Sequence, residues 1–278
     1  MHVIDTGGEG VPLLLITGLG GNTDMWSPFR ARLLTRRVIG FDAPGTGRST
    51  TPMQPVTVES MAKLVVAVLD HRGVAAADVI GFSYGGFVAQ QLAYAHPARI
   101  RKLVLAGTTC GLGGVLGSIG AMVALSTPLR FYSPSYFDRT AAAAYGGETG
   151  RNAGERRRMM APRQRHPPSA YGYAMQVMAC MGWSSLPFLA RIPHQTLVIN
   201  GDDDPLVPIA NCRLLASRIP HATLEIVPGA GHLLLWDQPD DLAARIGAFF
   251  NPEPARPRRR RPLPTPRSRP MEEATVTS

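Results

Sequence analysis

The stretch GFSYGG, Gly81 to Gly86, decides how this chain is read. It has the form G-x-S-x-G, follows the apolar run DVIGF (Asp78 to Phe82) and precedes a helical pattern, Tyr84 to His96, that stops at Pro97. Where a strand turns directly into a helix, the turn residue sits on a strained backbone. A side chain on either neighbour would collide with strand or helix, hence the flanking glycines. Such a turn lifts the Ser83 hydroxyl above the sheet edge and leaves the following amides free to meet an oxyanion. The bland alternative is a glycine-rich turn around an inert serine.

A serine hydroxyl at its ordinary pKa is a weak nucleophile and needs a base that is itself held by a third group. On a strand–turn–helix framework these partners follow in the order Ser, Asp, His, each after a later strand. QTLVING (Gln195 to Gly201) reads as such a strand and runs into Asp202, Asp203, Asp204 and Pro205. Three adjacent carboxylates are costly to bury, so at most one points inward. Asp204 is favoured because Pro205 fixes the turn beyond it; Asp202 is the alternative, and a solvated acidic turn is the bland reading. ATLEIVP (Ala222 to Pro228) reads as the last strand, and the loop GAGH places His232 behind it with only Gly and Ala crowding it. That placement suits a general base oriented by Asp204 through its other nitrogen. His2, His71, His96, His166, His194 and His221 lack such placement.

Further out, VPLLLIT (Val11 to Thr17), RVIGFD (Arg37 to Asp42) and RKLVLAG (Arg101 to Gly107) are strand-like, while Val58 to His71, Pro208 to Arg218 and Asp237 to Phe250 read as helices. The alternation predicts an α/β fold, a mostly parallel sheet with helices on both faces. Gly18, Gly20 and Gly21 after the first of these strands invite a dinucleotide-turn reading, with Asp42 mimicking the ribose-binding acid. Thr23 stands where the third glycine of that fingerprint belongs, so the turn is read as an oxyanion hole built from the amides of Leu19 and Tyr84. Donors of this kind are typically worth about 3 kcal/mol each where charge develops.

The alternation breaks between Thr108 and Ile192. An insertion of this length between sheet elements, rich in Ala, Gly, Met, Arg and aromatic residues, predicts several short helices forming a lid or cap, residues 108–192, over a core of residues 1–107 and 193–250. Its Met159, Met160, Tyr171, Tyr173, Met175, Met178, Met181 and Trp183 are read as an apolar channel or, equally, as ordinary helix core. The Pro/Arg-rich tail, residues 251–278, reads as disordered.

The 278 residues carry a formal charge of +9, which by itself hints at nucleic acid or anionic membranes. Two appendages hold all of it. Arg151 to Arg165 has six Arg and one Glu, the tail has seven Arg and three Glu, and the remaining charges cancel. The first cluster reads as a solvated helix face, with a carboxylate end group or an anionic granule surface as alternative partners. The tail could touch nucleic acid or acidic lipid weakly and in a salt-dependent way. No specific nucleic-acid partner is expected. Cys110, Cys180 and Cys212 are widely spaced and read as buried thiols, with neither a disulfide framework nor a zinc site. The N-terminal segment lacks an apolar signal-peptide region. The uncharged run between Lys102 and Arg130 contains six glycines and opens with the β-like LVLAGTT, which argues against a membrane span. A reducing, cytoplasmic setting is expected.

Taken in order, TGLGG, FDAPGTGRS, GFSYGG, GDDDPLVP and GAGH resemble the α/β-hydrolase family from Val3 to Phe250. Three further stretches are similar to the intracellular poly(3-hydroxyalkanoate) depolymerases of medium-chain polyesters. They are AYGGETGR (Ala144 to Arg151), GYAMQVMACMGWSSLPFLARI (Gly172 to Ile192) and GDDDPLVPIANCRLLASRIPHATL (Gly201 to Leu224). The resemblance implies an ester-hydrolysing triad of Ser83, Asp204 and His232, no metal or organic cofactor, an ester substrate and an association with polyester granules. Two departures stand out. Family members usually begin with one or two strands ahead of the segment matching Met1 to Gly10, so a shortened start or a missing edge strand is expected. Thr17 also replaces a His common in relatives, which removes one support of the oxyanion turn. Other readings on this framework are a small-ester esterase or lactonase, a carbon–carbon bond hydrolase and a cofactor-free perhydrolase. A non-catalytic homologue binding granules or membranes is a further class. Dehalogenases and epoxide hydrolases, with Asp at the elbow, are disfavoured by Ser83.

Overall fold

The computed structural model describes residues 1–33 and 36–251; the Pro/Arg-rich stretch beyond Asn251 lies outside them. Among the described residues, seven strands form one sheet: β1 Val3–Asp5, β2 Glu9–Ile16, β3 Arg36–Phe41, β4 Ala77–Phe82, β5 Ile100–Ala106, β6 Thr196–Gly201 and β7 Ala222–Val227. Their order is β1-β3-β2-β4-β5-β6-β7. β1 runs antiparallel to β3, pairing Val3 with Phe41, and every other neighbouring pair is parallel. The segment Met1 to Gly10 itself supplies the edge strand β1. That strand is three residues long, and only cross-strand pairing reveals it.

The apolar runs work because both faces of the sheet are covered. In β2, Leu14 and Ile16 join the core on one face while Leu13 and Leu15 join the other, and β4 and β5 alternate in the same way. Among the described residues, twelve α-helices surround the sheet: α1 Ser27–Arg30, α2 Val58–His71, α3 Tyr84–Ala95, α4 Ile119–Leu125, α5 Leu129–Tyr132, α6 Pro134–Tyr145, α7 Gly147–Arg151, α8 Ala153–Arg165, α9 Ala170–Met181, α10 Ile209–Arg218, α11 Leu234–Asp237 and α12 Pro239–Phe250. α2, α3 and α10 cover the first face; α1, α11 and α12 cover the second. α2 starts where its sequence says it should, with Thr57 and Ser60 in a reciprocal capping box.

The chain from 108 to 192 contributes no strand to the sheet and holds α4 to α9. Its two ends meet in a neck, where Gly111 and Ser184 form an antiparallel bridge and the Ser185 N–H donates to the Cys110 carbonyl at 2.9 Å. Gln90 on α3 fastens the neck, accepting from the Ser185 hydroxyl at 2.7 Å and donating to the Thr109 carbonyl at 3.1 Å. No described helix is long and apolar enough to cross a membrane.

Candidate active site

Consecutive strands step from β2 outward to β3, and the chain then returns to build β4 on the other side of β2. Ligands of open parallel sheets bind outside the carboxyl ends of the strands at such a reversal. The loops leaving β2 and β4 are the turn Thr17–Gly21 and Ser83.

Ser83 has φ 52° and is the one non-glycine residue with positive φ among the described residues. Its neighbours leave no room for a side chain. A Cβ on Gly85 would lie 2.1 Å from the Ile16 carbonyl oxygen, and one on Gly81 would lie 2.6 Å from the Gly85 carbonyl oxygen. The Ser83 Oγ lies 3.1 Å from His232 Nε2, and His232 Nδ1 lies 2.8 Å from Asp204 Oδ2. The other Asp204 oxygen accepts from the Leu206 and Val207 amides, both at 2.9 Å. The carboxylate is thus fixed by the turn that Pro205 begins. His232 is buried; its N–H donates to the Tyr145 carbonyl at 2.6 Å and its ring packs against Phe82. The other two aspartates face away: Asp202 accepts from the Gly229 amide, and Asp203 from the Gly147 amide and the Arg151 guanidinium. Asp204, not Asp202, meets the histidine.

The Leu19 and Tyr84 N–H groups make no hydrogen bond among the described residues. The turn before them is held from three sides. Gly21 N–H closes on the Gly18 carbonyl at 2.9 Å, Arg130 Nη2 donates to the Leu19 carbonyl at 3.0 Å, and Gly20 N–H donates to Gln176 Oε1 at 2.8 Å. Thr17 instead anchors Trp26, whose indole N–H donates to its hydroxyl at 2.7 Å. The support expected to be missing at Thr17 comes from α5 and α9. Asp42, weighed above as a ribose ligand, accepts from the Thr23 and Arg48 amides and ties two loops together.

Ser83 and His232 open into a cavity of about 30 Å³, room for one or two waters and no more. The insertion lines it with Leu125, Arg130, Phe131, Tyr145 and Arg163. These are not the residues that composition singled out: Tyr171, Met178 and Met181 are exposed, and Met159 lines a separate cavity beside Trp236. Arg130 and Arg163 are buried. Burial pulls the Arg163 guanidinium below its ordinary pKa. Burial pushes the Tyr145 phenol up, but the fields of Arg130 and Arg163 outweigh it and hold the phenol below its ordinary range. Both arginines escaped the sequence reading, yet each leaves a trace. Arg130 is the first charge after the long uncharged run, and Arg163 follows the buried Met159 by four residues, one helical turn along the same face. No group of three or more His, Cys, Asp or Glu among the described residues could hold a metal ion.

Residues 11–239 match the family described as alpha/beta hydrolase fold. A poly(3-hydroxyalkanoate) depolymerase of Ectopseudomonas oleovorans is 40% identical over 243 residues, covering 87% of this chain and 85% of that protein. A 2-hydroxymuconate semialdehyde hydrolase of Pseudomonas sp. (strain CF600) is 30% identical over 260 residues, covering 87% and 88%. Among solved structures, a hydrolase from Pseudomonas aeruginosa PA01 superposes with a TM-score of 0.75 at 27% identity, covering 90% of this chain and 93% of that one.

Proposed function

The chain belongs to the α/β-hydrolase family, and on that footing we propose that it is a serine hydrolase cleaving carboxylic esters through an acyl-enzyme, with medium-chain poly(3-hydroxyalkanoate) or its oligomers as substrate. The observation that carries the chemistry is the continuous Ser83–His232–Asp204 hydrogen-bond chain at the carboxyl edge of the sheet. Ser83 Oγ attacks the ester carbonyl as its proton passes to His232 Nε2. Asp204 keeps the imidazole in the tautomer that accepts there and stabilises the imidazolium that forms. The free Leu19 and Tyr84 amides take the oxyanion. His232 returns the proton to the departing alkoxide, and a water activated by the same histidine then cleaves the acyl-enzyme. The chemistry draws on no metal or organic cofactor.

The polyester reading rests on the 40% identical relative and on where apolar surface lies. Eleven of the fourteen exposed large apolar side chains among the described residues fall between Leu112 and Met181. That insertion, residues 108–192, is the lid in this reading, over a core of 1–107 and 193–250. An apolar outer surface suits a polyester granule in the cytoplasm, and the small cavity beneath means that the lid must shift to admit a medium acyl chain.

Ser83→Ala is expected to lower hydrolysis of p-nitrophenyl octanoate by at least about 10⁴-fold with the fold intact, and to abolish labelling by a fluorophosphonate probe. Full activity in the variant rejects Ser83 as nucleophile; a folded wild-type protein that neither labels nor hydrolyses is a binding homologue. Faster clearing of a medium-chain polyester latex than of a short-chain one is expected. Turnover of monomeric esters without clearing points instead to a small-ester esterase or lactonase.

A further inference from the structure

Arg130 and Arg163 both line the Ser83 cavity, and both are almost wholly buried, at 4% and 2% exposure. Neither pairs with a carboxylate among the described residues. Arg130 donates to the Thr127 and Leu19 carbonyls and the Tyr173 hydroxyl. Arg163 donates only to the Tyr145 hydroxyl, at 3.2 Å, and its Nε has no partner among the described residues. Asp237, whose field reaches Arg163, is taken up by the amide and hydroxyl of Thr149. Around the two guanidinium groups stand aromatic rings: Phe131 and Tyr173 beside Arg130, and Phe131, Phe137 and Tyr145 beside Arg163. Ring faces offset part of the desolvation of a buried cation but supply no counter-charge. Two buried cations with no carboxylate in contact among the described residues, opening on the same cavity as Ser83, form a site with room for a ligand's charge.

We propose that Arg163 and Arg130, lining one cavity with Ser83, form a carboxylate-binding subsite, and that the preferred substrates are oligoesters whose chain ends in a free carboxylate. Arginine is the residue for this task, because its planar fork matches both oxygens of a carboxylate. The inference rests on the ester-hydrolase reading and narrows it. With a 3-hydroxyalkanoate dimer, the Ser83 Oγ–acyl bond forms as the ester C–O bond breaks. His232 protonates the leaving alkoxide, which departs as a 3-hydroxy acid with its carboxylate still held, and water releases the second acid.

The test compares kcat/KM for a dimer of 3-hydroxyoctanoic acid with that for the same dimer capped as its terminal primary amide. The free acid is expected to be favoured at least tenfold by the wild-type protein, and the ratio to fall towards one in Arg163→Met. A wild-type ratio of one or less, or a ratio unchanged in the variant, overturns the subsite. Should the variant not fold, inhibition of p-nitrophenyl octanoate hydrolysis by 3-hydroxyoctanoate and by 3-hydroxyoctanamide decides on the wild-type protein. The acid is expected to inhibit at least tenfold better, and equal inhibition rejects the proposal. Hydrolysis of the neutral chromogenic ester with no preference between dimers removes the subsite and leaves the hydrolase standing. Hydrolysis of none of these esters removes both.

Discussion

At the scale of single residues, the site depends on atoms that are absent as much as on those present. Gly85 lies so close to β2 that any Cβ would meet the Ile16 carbonyl oxygen at 2.1 Å. Because the contact is with backbone in the middle of a parallel sheet, it cannot be relieved by rotating a side chain. Gly85→Ala is expected to cost about 3 kcal/mol or more, measured by urea denaturation. The acid offers a cleaner contrast. Asp204→Asn keeps the shape but favours the wrong imidazole tautomer, so kcat on p-nitrophenyl octanoate is expected to fall by about 10⁴-fold. Asp202→Asn, which alters only a carboxylate accepting from the Gly229 amide, should leave kcat within about twofold, a surface change of the kind that is usually neutral. Equal losses in the two variants would reject Asp204 as the orienting group. The Asp204 choice was legible because Pro205 fixes the turn. What sequence could not supply is that the other Asp204 oxygen is filled by two amides of that turn, leaving one oxygen for His232.

At the scale of elements, the strands and long helices follow from their patterns. β4 and β6 are buried throughout because both faces are covered, and α2 begins at a capping box written in Thr57 and Ser60. β1 was not legible. A three-residue edge strand has no periodicity of its own and exists only because β3 offers it an open hydrogen-bonding edge. The function of α9 was not legible either. Its Met and aromatic residues drew attention, yet the side chain that reaches the oxyanion turn is Gln176, buried and accepting from the Gly20 amide. Gln176→Leu leaves that amide unpaired and loosens the turn. A roughly tenfold loss of kcat with little change in KM is expected, about the size of one net hydrogen bond. Gln176→Glu, which keeps the acceptor, should recover most of the loss. Equal kcat in all three proteins would remove Gln176 from the positioning of the turn.

At the scale of the whole molecule, the basic cluster of the insertion faces mostly outward: Arg151, Arg157, Arg158 and Arg165 are exposed and Arg156 is half-buried. Arg151, Arg156 and Arg158 pair with Asp203, Asp138 and Glu155, and Arg163 is buried. The solvated helix face expected of this cluster does not describe Arg163. Stability as a whole should respond to pH through His194, buried where the insertion returns to the sheet, with Nε2 2.9 Å from the Pro97 carbonyl. Burial lowers its pKa below the ordinary 6.5, despite the hydrogen bond that opposes it. The unfolded chain therefore takes up a proton at higher pH than the folded one, and stability falls as pH drops through about 6.5. His194→Gln is expected to flatten that part of the urea-denaturation profile between pH 7 and 5. An unchanged slope would assign it elsewhere.

The sequence by itself determined where the candidate catalytic groups lie and the frame that holds them. A sharp glycine-flanked turn, an acid after one strand and a histidine after the next are local patterns, and each local pattern fixes its own backbone. Only the tertiary structure decided what surrounds Ser83. Arg130, Tyr145 and Arg163 line its cavity, and Gln176 holds the adjoining turn, from a helical insertion whose helices have no obligatory packing direction, so their meeting point depends on contacts between residues far apart in the chain. The GFSYGG turn could be read because it carries its own constraint; the charge that faces it could not, because that charge belongs to no single segment.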